Sequence, residues 1–215
     1  TVYVAPFSPN GKPLHVKGFL KQFRKVVEKN TNWLSFAARC GIPLVGLDPS
    51  VVLTYRDEYL KILGENKLPF EVLLPQEFLV KKSRKLPGHA VSISKKIQKY
   101  QLLGHCTEKT GAQLSQELWQ DVFEAFGLSL ELIPAGCCGM AGTYGHETDH
   151  FEESRGIYNL SWSKKIPEDP LLRQNILASG FSCRSQVKRF EGFRPLHPLQ
   201  ALLREIISVN SFQSE

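Results

Sequence analysis

No stretch of these 215 residues approaches the roughly 20 consecutive apolar residues that a membrane-crossing helix needs. No charged-then-apolar segment opens the chain, so no secretory leader is read there either. Five cysteines, an odd number with two of them adjacent, make a poor disulfide framework and favour metal or catalytic use. Together these absences point to a reducing compartment. The expected location is the cytoplasm, with room for peripheral attachment at the inner membrane.

Recognition-helix and aromatic-platform signatures of nucleic-acid binding are missing as well. The formal charge of +6 is spread out, densest at Lys81, Lys82, Arg84 and Lys85 and again at Lys95, Lys96 and Lys99. Such runs read as a solvated linker, suited to an acidic partner and not to nucleic acid. The remaining composition, 42% apolar and 22% charged, is that of a globular protein able to form one domain or two small ones. The chain opens on Thr1-Val2-Tyr3-Val4-Ala5, directly on a strand-like run and without methionine, and is read as a fragment of a longer protein.

What is present is concentrated at Pro134-Ala135-Gly136-Cys137-Cys138-Gly139-Met140-Ala141-Gly142. Neighbouring side chains normally diverge, so two adjacent thiols converge on one object only where the backbone turns sharply, and glycine permits that. Cys106 lies 31 positions before Cys137, and Cys183 lies 45 positions after Cys138. Both follow apolar runs that read as strands, Tyr100 to Gly104 and Asn175 to Gly180, so each is expected where a strand gives way to a loop. Soft thiolates from three loops suit an iron–sulfur cluster or zinc. Small buried cysteines packing as hydrophobes are the plainer alternative. Cys40, at the end of a helix, has no partner motif and is read as a buried spectator.

Along the chain, strands are expected at 2–5, 43–47, 70–74, 100–104, 128–133 and 175–180. Helices are expected from Gly18 to about Asn30, then at 33–40, 51–63, 76–80, 113–126 and 198–209. The basic segment 81–99, with Pro87-Gly88 inside, is the linker candidate. Laid over each other, the two halves repeat. Val2-Tyr3-Val4-Ala5-Pro6 matches Leu130-Glu131-Leu132-Ile133-Pro134, residues 44–51 match 176–183, and Leu74-Pro75-Gln76-Glu77 matches His197-Pro198-Leu199-Gln200. The counterpart of the strand at 100–104 and its helix falls before Thr1. The expected fold is therefore α/β: two pseudo-repeated halves, 1–96 and 97–215, each a small, mainly parallel sheet flanked by helices, with the N-terminal half incomplete. On this alignment Pro9 and Val51 stand where the second half has Cys137 and Cys183, so the first half carries the scaffold without the thiols.

At Gly136-Cys137-Cys138-Gly139, with Cys106 upstream and Cys183 downstream, the chain resembles the cysteine-rich CCG domain family, which includes the B subunit of heterodisulfide reductase. The strings Ser8-Pro9-Asn10-Gly11-Lys12-Pro13-Leu14 and Gly139-Met140-Ala141-Gly142-Thr143-Tyr144-Gly145-His146-Glu147 look closer still to the C-terminal region of FAD-linked, iron–sulfur D-2-hydroxy acid dehydrogenases of the D-2-hydroxyglutarate and D-lactate type. The resemblance implies an electron-transfer domain in which Cys106, Cys137, Cys138 and Cys183 hold a [4Fe–4S] cluster. It also implies FAD and ferredoxin-like domains upstream in the same chain and an electron acceptor beyond. The last cysteine of the family pattern is Gln186 here, which leaves four thiolates. His105 is the expected substitute ligand or, alternatively, an imidazole hydrogen-bonded beside a strand end. His146, Glu147 and His150 read as a proton-transfer or metal-binding pair, or as support for the double-cysteine turn. Arg184 reads as stabilising thiolate or cluster charge, or as a site for an acidic substrate. A structural zinc site serving as a docking module is the competing use of the same cysteines, and a thiol–disulfide enzyme built on Cys137-Cys138 ranks last.

Overall fold

In the computed structural model, residues 1–64, 68–83 and 99–212 are described, and they form two compact units, Thr1–Leu73 and Leu74–Glu215. Residues 84–98, which hold most of the basic linker candidate and the expected boundary at 96/97, lie outside the described residues; of its ends, 81–83 are helical and Lys99 begins a strand.

The first unit contains α1 (Lys12–Val16), α2 (Leu20–Arg39), β1 (Leu44–Val45), α3 (Pro49–Arg56), α4 (Glu58–Leu63) and β2 (Val72–Leu73). β1 and β2 pair in parallel, Leu44 against Val72 and Val45 against Leu73. Phe23 and Val27 of α2, Val52 of α3 and Tyr59 of α4 are fully buried. Phe23 meets Tyr59 edge-on with ring centroids 5.9 Å apart. Asp48 starts α3 by accepting hydrogen bonds from the Ser50 and Val51 N–H groups, and Pro49 occupies the first turn, where its missing N–H costs nothing.

The second unit opens with α5 (Pro75–Ser83) and β3 (Lys99–Leu103), then α6 (Cys106–Gly111), α7 (Glu117–Ala125) and β4 (Ser129–Leu132). It continues through α8 (Phe151–Ser161), α9 (Pro170–Arg173), β5 (Ile176–Ala178), α10 (Phe181–Glu191) and α11 (Pro198–Phe212). The sheet is parallel in the order β4-β3-β5. Strand side chains alternate between its faces. Tyr100, Leu102, Leu130 and Leu177 share one core with Val80, Trp119, Val122, Phe123, Ala201 and Leu202 of α5, α7 and α11. Leu103, Ile176 and Ala178 share another with Tyr158 of α8 and with Cys183 and Val187 of α10, and Cys138 and Met140 join it. Helices thus cover both faces of a parallel sheet, as the α/β expectation requires.

The two halves match in register. Val45 pairs with Leu73, and at the aligned positions Leu177 bridges Leu196, also in parallel. Helices α5 and α11 both start at a proline, and in both the preceding N–H is taken by the side chain three residues on: Leu74 N to Glu77 Oε2 at 2.7 Å, His197 N to Gln200 Oε1 at 3.0 Å. Gly11 and Gly139, aligned, have φ of 81° and 85°.

Several expected elements differ. Residues 2–5 form no strand, because no described neighbour pairs with them. The helices expected on either side of Asn30 are one helix, α2. The Asn30 side chain is drawn inward to Pro9 O and Tyr59 Oη, both at 2.9 Å, and so does not compete with the helix backbone. The helix expected over 51–63 is broken at Asp57 into α3 and α4. Cys106 and Cys183 lie in the first turns of α6 and α10, not in loops. Cys40 is exposed, not buried.

Candidate metal centre

All five cysteines are free thiols. Four of them, far apart in sequence, meet at the C-terminal ends of the strands. Cys106 follows β3 as the first residue of α6, Cys137 and Cys138 follow β4, and Cys183 follows β5 as the third residue of α10. Parallel strands deliver their following loops to one edge, which is how the topology gathers the thiols. Cys138 and Cys183 are buried, while Cys106 and Cys137 are partly open.

The thiols form a chain of contacts. Cys106 and Cys138 both hydrogen-bond to Cys137, and Cys138 also contacts Cys183. Cys137 is the acceptor. The Cys106 and Cys138 thiols, together with the backbone N–H groups of Gly139, at 3.3 Å, and Ala141, hold its pKa far below the usual thiol range. Cys106 is pushed upward first by that same bond to Cys137 and then by burial, and Cys138 by its bonds to Cys137 and Cys183 and then by burial. The contacts thus favour the deprotonated form at Cys137 over Cys106 and Cys138.

Among the described residues no group of three or more His, Cys, Asp and Glu side chains is set to hold a metal ion. The sulfurs are linked one to the next, Cys106 to Cys137 to Cys138 to Cys183. The donor set nonetheless fits a group larger than one ion: four soft sulfurs, one already favouring the thiolate form, beside backbone N–H donors.

The turn is braced from behind by α8. Gly136 N donates to Ser161 Oγ at 2.8 Å, Trp162 Nε1 donates to Gly136 O at 2.9 Å, and Ser154 Oγ donates to Gly139 O at 2.8 Å. Glycine is required at 139, where φ is positive and a Cβ would lie 2.1 Å from Ser154 O. It is also required at 180, where a Cβ would lie 2.2 Å from His105 Cδ2 and 3.2 Å from Cys183 Sγ.

The other expected residues are distributed unevenly. Gln186 is fully buried behind the turn, and its Nε2 donates to Ser154 Oγ at 2.7 Å. His105 is buried and caps α6, its Nδ1 accepting from Thr107 N at 3.2 Å. Arg184 turns to Pro195 O at 2.9 Å and Gln200 Oε1 at 2.8 Å, and its pKa is lowered by burial and by Arg194. Glu147 and His150 approach each other to 3.6 Å and His150 stacks on Tyr144, while His146 is exposed.

Sequence reasoning missed Lys109 and Glu108. Lys109, one turn after Cys106, donates from Nζ to Ala135 O; burial lowers its pKa while Cys106 and Cys183 oppose that shift. Glu108 is fully buried and accepts from Gln76, Ser115 and Ser179 at 2.8, 2.8 and 3.0 Å, which ties α5 and the end of β5 to α6. Nothing marks these two in a single sequence beyond their place on the turn after Cys106.

No family model matches the chain. It is 50% identical over 201 residues to D-2-hydroxyglutarate dehydrogenase of Pantoea ananatis, a match covering 94% of this chain and 19% of that protein. The chain is similar to one stretch of a larger dehydrogenase. The protein of the same name from Escherichia coli is 48% identical over 202 residues with the same coverage. A subunit of the anaerobic glycerol-3-phosphate dehydrogenase of Escherichia coli is 28% identical over 202 residues, 91% of this chain and 49% of that protein. The chain thus spans about a fifth of the length of these D-2-hydroxyglutarate dehydrogenases. Among the described residues no helix is long and apolar enough to cross a membrane.

Proposed function

We propose that this chain is the iron–sulfur electron-transfer part of a larger flavin-linked oxidoreductase acting on a D-2-hydroxy acid, D-2-hydroxyglutarate being the substrate that the relatives' names suggest. The observation that carries the reading is the meeting of Cys106, Cys137, Cys138 and Cys183 at one end of a parallel sheet. In this reading residues 1–96 are a CCG-like half without ligands and residues 97–215 are the half that holds the cofactor.

The four thiolates would hold a [4Fe–4S] cluster, which supplies one-electron transfer between FAD, bound outside these residues, and an acceptor. The chain's own residues set the environment. The N–H groups of Gly139 and Ala141 point at Cys137 and favour its deprotonated form, which metal binding needs. Lys109 places a positive charge near Cys106 and Cys183. Burial of Cys138 and Cys183 keeps water from the inner sulfurs. Gln186 faces Ser154, so the ligand set is four thiols and not five.

Anaerobic reconstitution with iron and sulfide, followed by metal and sulfide analysis and EPR, tests the proposal. The expected result is about four irons and four sulfides per chain, as a cube with four cysteine ligands requires, lost in Cys138→Ser. Tight zinc binding without sulfide uptake would replace this reading with a structural docking module.

A further inference from the structure

The second unit builds its sheet from three strands, with β3 lying between β4 and β5. Among its described residues the first unit has sequence counterparts of the two outer ones only. Val2-Tyr3-Val4-Ala5 aligns with Leu130-Glu131-Leu132-Ile133 of the β4 run, and Leu44-Val45 aligns with Ile176-Leu177 of β5. In the second unit, β5 is bonded on one side to β3 and on the other to Leu196. In the first, β1 is bonded to β2 on the side equivalent to Leu196, and no described strand lies along its other edge.

Side-chain exposure shows the difference position by position. Val45 is 39% exposed where its counterpart Leu177 is 0% exposed. Val2 is 91% exposed where Leu130 is 7% exposed. Tyr3 and Val4 are also strongly exposed, as are Ile42 and Leu47 at the two ends of β1. An open strand edge flanked by exposed apolar side chains recruits another strand, because main-chain hydrogen bonds and apolar burial are both available there.

We infer that a β-strand–helix unit of the same polypeptide, lying ahead of Val2, inserts in parallel between residues 2–5 and β1 and completes the first unit's sheet. Three observations select this occupant over a second copy or a foreign partner. The open position is that of β3, and in the second unit β3 precedes β4 in the chain, Leu102 pairing with Leu132 thirty residues later. Both flanking segments keep the apolar residues of their counterparts, Val2 and Val4 standing for Leu130 and Leu132, and Leu44-Val45 for Ile176-Leu177. The relatives matched over 94% of this chain are about five times its length, so polypeptide is at hand to supply the unit. By the spacing in the second unit, the inserted strand is centred about thirty residues ahead of Val4. The inference does not depend on what the thiols bind.

Hydrogen exchange on the full-length protein and on the 215-residue chain tests it. The amides of residues 2–5 and 44–47 are expected to exchange at least about 100-fold more slowly in the full-length protein, as sheet amides do when their partners are present. A Val4→benzoylphenylalanine photo-crosslink in the full-length protein is expected to join the segment about thirty residues upstream. Equal exchange in the two proteins would overturn the inference, as would a crosslink to any other segment. Protection of the 215-residue chain that appears together with dimerisation in sedimentation would instead assign the edge to a second copy.

Discussion

Replacing Gly139 with alanine tests whether the double-cysteine turn is held by its contact with α8. Two costs add at this position. Left-handed backbone, with φ of 85°, costs a non-glycine residue roughly 1–2 kcal/mol. The new Cβ would also stand 2.1 Å from Ser154 O, a backbone atom that moves only with α8, and forced overpacking of this kind costs about 1–3 kcal/mol. Gly142→Ala is the control, because φ there is 73° and nothing lies within 4 Å of its Cβ, so only the first cost applies. Gly139→Ala should therefore destabilise the second unit by about 2–5 kcal/mol, and Gly142→Ala by roughly 1–2 kcal/mol. Urea unfolding followed by tryptophan fluorescence reports the second unit once Trp33 is changed to phenylalanine, since Trp119 and Trp162 are both buried there. With an m-value on the order of 1.5 kcal/mol/M, the midpoint for Gly139→Ala falls by roughly 1–3 M. Equal midpoints for the two alanine variants would refute the brace.

Trp162→Phe removes the indole N–H bond to Gly136 O and leaves a void in the core behind the turn, costing about 2–4 kcal/mol. Cys137 should then react faster with a thiol reagent under native conditions, and an unchanged rate would show that the indole does not hold the turn. Tyr100 is fully buried, bonds to Glu205 and accepts from Arg204 Nη2 at 2.8 Å. Its pKa is raised to about 12, mainly by burial and then by Glu205. The folded state therefore binds this proton more tightly than the unfolded state, so stability falls as pH rises from about 10 towards 12. Tyr100→Phe should reduce that alkaline loss in the second unit by about one proton's worth of slope, and an unchanged pH profile would remove Tyr100 from the account.

The sequence by itself determined the α/β class, the repeat and the four thiols, because each has a local signature. Glycines around Cys137-Cys138 announce a turn, apolar runs announce strands, and the proline-led helix starts at Pro75 and Pro198 recur with their capping residues. Helices α8 and α10 had no such signature. Their buried faces carry Ser154, Cys183 and Gln186 among the apolar residues, and polar residues on the inner face erase the periodicity that marks a helix. Asn30 misled in the opposite sense: its polarity reads as a helix end until Pro9 and Tyr59 are seen to occupy it. Only the tertiary structure decided that Cys106 and Cys183 begin helices, that Cys137 accepts from its neighbours, and that Lys109 and Glu108 stand behind them. These facts depend on which strand ends lie side by side, and contacts between residues tens of positions apart leave no mark in the local pattern of either segment.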